Sequence, residues 1–421
     1  MAAAERRDLL VIGGGPSGSA TAYWAARQGL DVAFVEKKVF PREKTCGDGL
    51  TPRAVTQLRD MGLGDRLDAY HRVDGLRTIA HQRTLEMHWP RHTVHPDHGF
   101  VIRRRELDTF VAENAVAAGA VLHQGTEALA PEHEGGHLVG AVVRDTATDT
   151  TRSIRAPWVV VADGSNSRFG RALGTARNRS YPQGMAIRGY FESPNHDDPW
   201  IESALDVRDR NGSSMPGYGW IFPVGDGTIN VGIGLLSTFR DWKQVNTTKL
   251  WHEFARTLPE HWQIDPTAPL APPTGGRLPM AGSVTPKQGP NWLVVGDSGG
   301  NINPFNGEGI DYAYETGRTA ATLIAEAHDT GNGLVLQRYP EMLDAEFRRY
   351  YRVARLFAEV IGNPALMRQL TRVGMRSQRL MEWALKVMSN MLDEDDPGFT
   401  ERSYAAIESL VRLVPDRAVA R

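Results

Sequence analysis

Four short stretches of the chain carry an apolar core and end in glycine or an acid. They are Asp8-Leu9-Leu10-Val11-Ile12, Asp31-Val32-Ala33-Phe34-Val35, Trp158-Val159-Val160-Val161-Ala162 and Trp292-Leu293-Val294-Val295. Continuous apolar runs of this length are the pattern of strands buried on both faces of a parallel sheet. Between the first two, Pro16 to Gln28 brings in Ala20, Ala22, Ala25 and Ala26 and stops at Gly29, which predicts a helix opened by proline and closed by glycine. A second helix is predicted from about Gly307 to Ala325, behind a proline-glycine loop. The period changes to two at Gly184 to Glu192 and Thr228 to Ile233, as in strands with one buried face. From about residue 335 the pattern is helical, and no repeat of fixed period runs through the chain.

Size and composition bound what these elements build. A single core stops growing near ~250 to 300 residues, so 421 residues predict at least two domains. Hydrophobic residues make up 41% and charged residues 23%, the balance of an ordinary globular chain. Lys plus Arg number 48 against 50 for Asp plus Glu, so no overall field attracts nucleic acid, and nucleic acid is not an expected partner. Cys46 is the only cysteine, which excludes an internal disulfide or a multi-cysteine zinc site; no metal is expected, and a reducing cytoplasm fits. The apolar run before Gly13 is shorter than the ~7 to 15 residues of a signal peptide, and no run reaches the ~18 of a spanning helix. Any membrane contact is therefore expected to be peripheral.

The first strand and helix enclose Gly13-Gly14-Gly15-Pro16-Ser17-Gly18. Gly13, Gly15 and Gly18 fit the dinucleotide fingerprint: a tight turn, a close approach of backbone to pyrophosphate, and a close approach of helix to strand. The N-terminus of the helix, with Pro16 and Ser17 in its first turn, then faces the phosphates. The second strand ends in Glu36, placed to accept hydrogen bonds from the adenosine ribose, with Lys37 beside it. The fingerprint alone leaves NAD and FAD both open.

Distant segments separate them. Arg104-Arg105-Glu106-Leu107-Asp108, the strand ending in Asp163-Gly164, and Gly296-Asp297 followed by Pro304-Phe305-Asn306-Gly307-Glu308-Gly309-Ile310 resemble the flavoprotein family that includes aromatic hydroxylases and geranylgeranyl reductases. The resemblance is spread over most of the chain and implies FAD. It places Arg104 near the flavin pyrophosphate or ribityl chain, Asp163 at the cofactor border, Asp297 on a ribityl hydroxyl, and Gly307, Gly309 and Ile310 at the pyrimidine edge. The fold class it implies is α/β, α+β overall. An FAD-binding Rossmann-type ββα domain (residues 1-60, 95-175 and 285-330) would carry a mainly β substrate lobe (61-94 and 176-284) and a C-terminal helical region (335-421).

Phe40-Pro41-Arg42-Glu43-Lys44-Thr45-Cys46-Gly47-Asp48-Gly49-Leu50 is similar to the Pro-Arg-x-Lys-x-Cys-Gly-x-Gly loop of the geranylgeranyl reductase branch, and Tyr218-Gly219-Trp220-Ile221-Phe222-Pro223 to its Tyr-x-Trp-x-Phe-Pro segment. Within the branch, Cys46 to Ala54 and Asn306 to Tyr312 look most like the menaquinone β-isoprene reductases. Archaeal-type lipid reductases more often carry glycine where Asp48 stands. The resemblance implies a prenyl substrate, menaquinone first, with geranylgeranyl diphosphate or a prenyl lipid as the alternative. It adds Cys46 and Gly47 to the cofactor contacts.

The chemistry follows from the substrate. An isolated trisubstituted alkene cannot stabilise a carbanion, so a proton must arrive before or with a hydride. The positive charge that develops is stabilised by aromatic faces, and an alternating strand puts Tyr218, Trp220 and Phe222 on one side. Cys46 is the first candidate proton donor and Tyr218 the next, with Trp220 stabilising charge. The electron donor is open between NAD(P)H, ferredoxin and another reductase. From Arg348 to Leu392 there are nine basic side chains against Glu359 and Glu382. There Arg368, Arg372 and Arg376 alternate with a stripe of Leu366, Leu370, Val373 and Leu380, and the segment reads as a basic amphipathic helix suited to an anionic membrane face. A cytoplasmic protein peripheral to the inner face of the cell membrane is expected. A flavin monooxygenase and a non-catalytic prenyl-binding escort remain as rival readings.

Overall fold

The computed structural model describes residues 5–413. Its centre is a five-stranded sheet in the order Trp292–Val294, Trp158–Val161, Leu9–Ile12, Val32–Glu36, Val121–Gln124, and every pairing is parallel. The register aligns Val11 with Phe34 on one side and Val160 on the other, and Val160 with Leu293. Leu9, Val11, Val160 and Leu293 have no exposed surface, as the apolar runs predicted. The helix Pro16–Arg27 follows the first strand with Pro16 at its start, and Gly29 leaves it at φ +92°. It packs against the long helix Ile310–Thr330, where Gly317 meets it so closely that an added Cβ would lie 2.7 Å from the Ser17 carbonyl oxygen. That long helix starts three residues later and ends five residues further on than the pattern suggested. Residues 307–309 stay in the loop because Gly307 adopts φ +79°.

A second, seven-stranded sheet is mainly antiparallel, in the order Thr274–Pro279, Gln183–Glu192, Thr228–Leu236, Gly217–Pro223, Trp200–Ala204, Gly75–Ala80, Arg83–His88. One face packs on the helix Thr247–Ala255 through Ile187, Phe191, Ile221, Val231, Ile233 and Trp251. The Trp251 indole donates to the Val231 carbonyl at 2.9 Å. The other face looks toward the Cys46 loop. The period-two stretches at 184–192 and 228–233 are the second and third strands of this sheet.

The C-terminal region is helical, but the basic stretch from Arg348 to Leu392 is not one helix. It divides into Arg349–Ile361, Pro364–Gly374 and Gln378–Met388. Pro364 cannot continue the preceding helix. Asn363 and Ser377 cap the two that follow, accepting from the amides of Ala365, Leu366 and Leu380. Leu366, Leu370, Val373 and Leu380 are exposed by 42%, 43%, 57% and 42%, beside exposed Arg368, Arg372 and Arg376. Among the described residues, no helix is long and apolar enough to cross a membrane.

Candidate functional site

The glycine turn sits at the C-terminal end of the first strand. Gly13 has φ +112°, and a Cβ there would lie 2.3 Å from the Ala162 oxygen; one on Gly18 would lie 1.8 Å from the Gly13 oxygen. These two glycines let strand, turn and helix touch. Gly15 differs: an added Cβ would meet only Arg42 Nη2, at 3.8 Å. Its backbone faces open space, and the helix after it has no side-chain cap and no acid in its first turn. Ser17 is buried there, under Gly296.

Charged side chains close this end. Arg42 donates to Glu36 Oε2 at 3.2 Å and to Asp108 Oδ2 at 2.8 Å, while its Nε is buried without a partner. Arg104 is 3% exposed and grips both oxygens of Asp108, at 2.8 and 2.9 Å, and it also lies against the Cys46 thiol. Burial pushes the Asp108 carboxyl up, but Arg104 and Arg42 together pull it below the usual range. Glu36 also accepts from the amides of Gly14 and Lys38. Lys37 is exposed and takes no part in the cluster. Asp163 accepts from the Phe169 amide at 3.0 Å and from Ser298 Oγ at 3.2 Å, tying the second Asp-Gly strand end to the turn that holds Asp297.

At the other end, Lys44 Nζ lies 3.4 Å from Asp297 Oδ2, and a Cβ on Gly309 would lie 3.4 Å from Asp297 Oδ1. The loop from Lys44 to Asp48 is clipped to the second sheet. Arg188 donates to the carbonyls of Cys46 and Lys44 at 3.2 and 3.1 Å, and Asn230 donates to the Cys46 carbonyl at 2.9 Å. Asp48 is fully buried at φ 68° and accepts from Tyr190, Asn230 and the Arg104 amide. Gly47 and Gly49 lie on Phe222, and Gly47 also on Trp220. Trp220 is 5% exposed, wedged between Gly47 and Gly232, with its indole donating to Asn230 at 3.0 Å. Tyr218 and Phe222 stay half-buried beside it. The Tyr218 hydroxyl donates to the Asn306 carbonyl, which joins the aromatic strand to the loop of Gly307 and Gly309. Ile310 opens the long helix and shares a cluster with Leu50, Phe100 and Cys46; that helix, too, has no side-chain cap.

The residues gathered are those a dinucleotide flavin needs. The uncapped helix at Gly15, with no acid in its first turn, and the orphaned Arg42 Nε fit a pyrophosphate. The helix at Gly309, also uncapped, instead carries Asp311 in its first turn, which offsets its dipole. Sequence reasoning missed Arg42, Lys44 and Glu308 as members, although all three stand inside motifs it singled out. Besides near neighbours, Arg42 holds Asp108 from 66 residues away, Lys44 holds Asp297 from 253 and Glu308 holds Thr51 from 257, separations that no local pattern bridges.

Fold and site together define a dinucleotide-binding flavoprotein oxidoreductase. Residues 6–346 match the family described as FAD binding domain. Over 98% of its length the chain is 37% identical to a menaquinone reductase of Mycolicibacterium smegmatis, covering 98% of that protein. It is 31% identical to a digeranylgeranylglycerophospholipid reductase 2 of Methanosphaera stadtmanae, over 82% of this chain and 85% of that one. Among solved structures, a geranylgeranyl bacteriochlorophyll reductase-like protein from Thermoplasma acidophilum superposes with a TM-score of 0.78 at 23% identity, over 96% of this chain and 99% of the other. The chain belongs to the FAD binding domain family. It is an FAD-dependent oxidoreductase similar over nearly its whole length to a menaquinone reductase, as the sequence motifs implied.

Proposed function

We propose that this enzyme saturates a carbon–carbon double bond of a prenyl chain, one isoprene unit of menaquinone in the first place. The observation that carries the reading is the junction at the Asn306 carbonyl. It brings the Cys46 loop, the aromatic strand and the Asp297–Gly309 segment to one place, in a chain that matches menaquinone reductases end to end. Bound FAD, once reduced, supplies the hydride. Gly13, Gly15, Pro16, Ser17, Gly18, Glu36, Arg42, Arg104 and Asp163 would hold its dinucleotide half, and Cys46, Gly47, Asp297, Gly307, Gly309 and Ile310 its ring half. Tyr218 borders the reacting alkene, where its face stabilises positive charge and its bulk excludes water. Trp220, its ring covered by Gly47 and Gly232, supports that strand from behind rather than facing the substrate. The cofactor segments then belong to residues 1-60, 95-175 and 285-330, and the substrate lobe to 61-94 and 176-284.

The remaining parts of the reading concern partners. Electrons arrive from a separate donor of the NAD(P)H, ferredoxin or flavoprotein-reductase type. The exposed leucine stripe and arginines of Pro364–Gly374 and the helix after it rest on an anionic membrane face, where a long-tailed quinone resides. The test is anaerobic: reduce the purified enzyme with dithionite, add menaquinone in detergent, and weigh the prenyl tail by mass spectrometry. A gain of two hydrogens in the tail supports the reading. An unchanged tail, with geranylgeranyl diphosphate equally untouched, sinks it.

A further inference from the structure

Behind the Asn306–Gly309 loop lies a group of acids larger than its positive charge. Glu308 accepts from Thr51 Oγ1 and from the Asn306 side-chain amide, the latter at 3.4 Å. Asp311, one turn along, is completely buried, and neither of its oxygens has a hydrogen-bond partner. Glu315 takes both arms of Arg53 at 2.8 Å, and Arg53 Nε is 3.6 Å from Asp311. Arg53 Nη2 also lies 3.5 Å from Glu346, so four carboxyls surround one guanidinium. Tyr218 faces the group from the second sheet and Tyr350 from the C-terminal helices, and neither brings positive charge. Such a group cannot be fully ionised inside a protein, so it stores protons.

We propose that Glu308, rather than Cys46 or Tyr218, delivers the proton to the alkene. Of the acids in the cluster, Glu308 alone stands in the loop that meets Tyr218 and borders Asp297. The Tyr218 phenol is already committed to the Asn306 carbonyl, and burial, Glu308 and Cys46 push its pKa up, making it a weaker acid than free tyrosine. Glu308 presents some surface, but its carboxyl sits among densely packed atoms. Burial raises it to about 7, against the pull of Thr51, Asn306 and Arg53. An acid near neutrality is suited to giving a proton and regaining it. Burial, then the neighbouring Glu308 and Glu315, raise Asp311 well above the carboxylate range against the pull of Arg53.

The inference rests on the prenyl-reductase reading, and its balance is simple. The Glu308 O–H bond breaks and a C–H bond forms at one alkene carbon. The other carbon takes a hydride with its electron pair from the reduced flavin, the two-electron reductant. The alkene becomes an alkane, the flavin is oxidised, and Glu308 is left as a carboxylate to be reprotonated from solvent.

Glu308→Gln keeps the shape and an acceptor for Thr51 but holds no proton. Two measurements test the proposal. In the FAD-loaded protein carrying 13C-labelled glutamate, infrared difference spectra between pH 5 and 9 should show a protonated carboxyl that titrates near neutrality in wild type and is missing from the variant. In single turnovers of prereduced enzyme with menaquinone, the variant should be reoxidised with tail saturation about 100-fold more slowly or worse, while its reduction by dithionite is unchanged. A smaller loss overturns the proposal, and so does a wild-type spectrum with no glutamate band titrating in that range. Wild type that leaves the tail unsaturated would instead remove the functional reading beneath it.

Discussion

The carboxyl of Asp48 receives the hydroxyl of Tyr190 at 2.5 Å, inside the contact between the Cys46 loop and the second sheet. Two guanidiniums, Arg103 at 4.4 Å and Arg188 at 4.5 Å, cover the Tyr190 ring. Asp48 is thus the pin on which the loop turns, and its left-handed backbone suits a short polar residue or glycine. Asp48→Gly should keep the backbone but leave the Tyr190 hydroxyl buried and unpaired, costing about 2 to 4 kcal/mol. Asp48→Ala should cost about 1 kcal/mol more through backbone strain. Urea denaturation of the three proteins checks the order, and an alanine variant as stable as the glycine one would refute it.

Gly15 and Gly18 should fail in different ways. Alanine at Gly18 collides with the Gly13 carbonyl, so Gly18→Ala should disrupt the packing of helix on strand and yield little soluble protein. At Gly15 the φ of −77° is ordinary and only the tip of Arg42 is near, so Gly15→Ala should fold. Its methyl group would stand where the pyrophosphate must approach, and the purified protein should be colourless. Circular dichroism with the flavin-to-protein absorbance ratio separates the two; a yellow, stoichiometric Gly15→Ala protein would remove Gly15 from the cofactor site.

Lys287 is the source of an unusual pH dependence. Its ammonium group donates to the carbonyls of Gly282, Val284 and Gly299, and burial holds it down to about 8 from 10.5. Between pH 8 and 10.5 the folded chain binds fewer protons at this site than the unfolded one, so this contribution raises stability as pH rises. The melting temperature of wild type minus that of Lys287→Met should increase from pH 8 to 10. A flat difference would mean that the lysine is not held down.

The leucine stripe offers a test at the membrane. Leu366→Gln, Leu370→Gln and Val373→Gln together remove exposed apolar surface and should leave stability within about 0.5 kcal/mol, as surface changes do. Sedimentation with vesicles containing phosphatidylglycerol should fall, and that of wild type should weaken with salt as the arginines are screened. Equal sedimentation of both proteins would assign the stripe to another contact.

What the sequence revealed and what it hid divide along the distance between partners. The central strands, the Pro16 helix and the glycine turn were legible because apolar runs and glycine placement are local signals. So was the shared side of Tyr218, Trp220 and Phe222, which the rings confirm at 6.0 and 6.3 Å. That Gly47 covers Trp220 was not legible, because 173 residues separate them. The breaks at Asn363-Pro364 and Ser377 carry local capping signals, yet the regular spacing of arginines suggested one helix across them. Asp48 stood out as a departure from glycine, but its partners Tyr190 and Asn230 lie on strands whose pairing only the folded chain displays.

The order of strands in the central sheet has a consequence for the timing of synthesis. Leu9–Ile12 can pair at once with Val32–Glu36, but its other neighbour begins at Trp158, and the edge strand beyond that at Trp292. At about 5 to 20 residues per second, the first strand waits many seconds on the ribosome with one edge open. Both helix ends that would receive the flavin exist only after Ile310 has left the exit tunnel. A nascent chain interrupted before that point carries the fingerprint of a nucleotide site without the means to keep the nucleotide, and its open strand edge is a natural place for a chaperone to act.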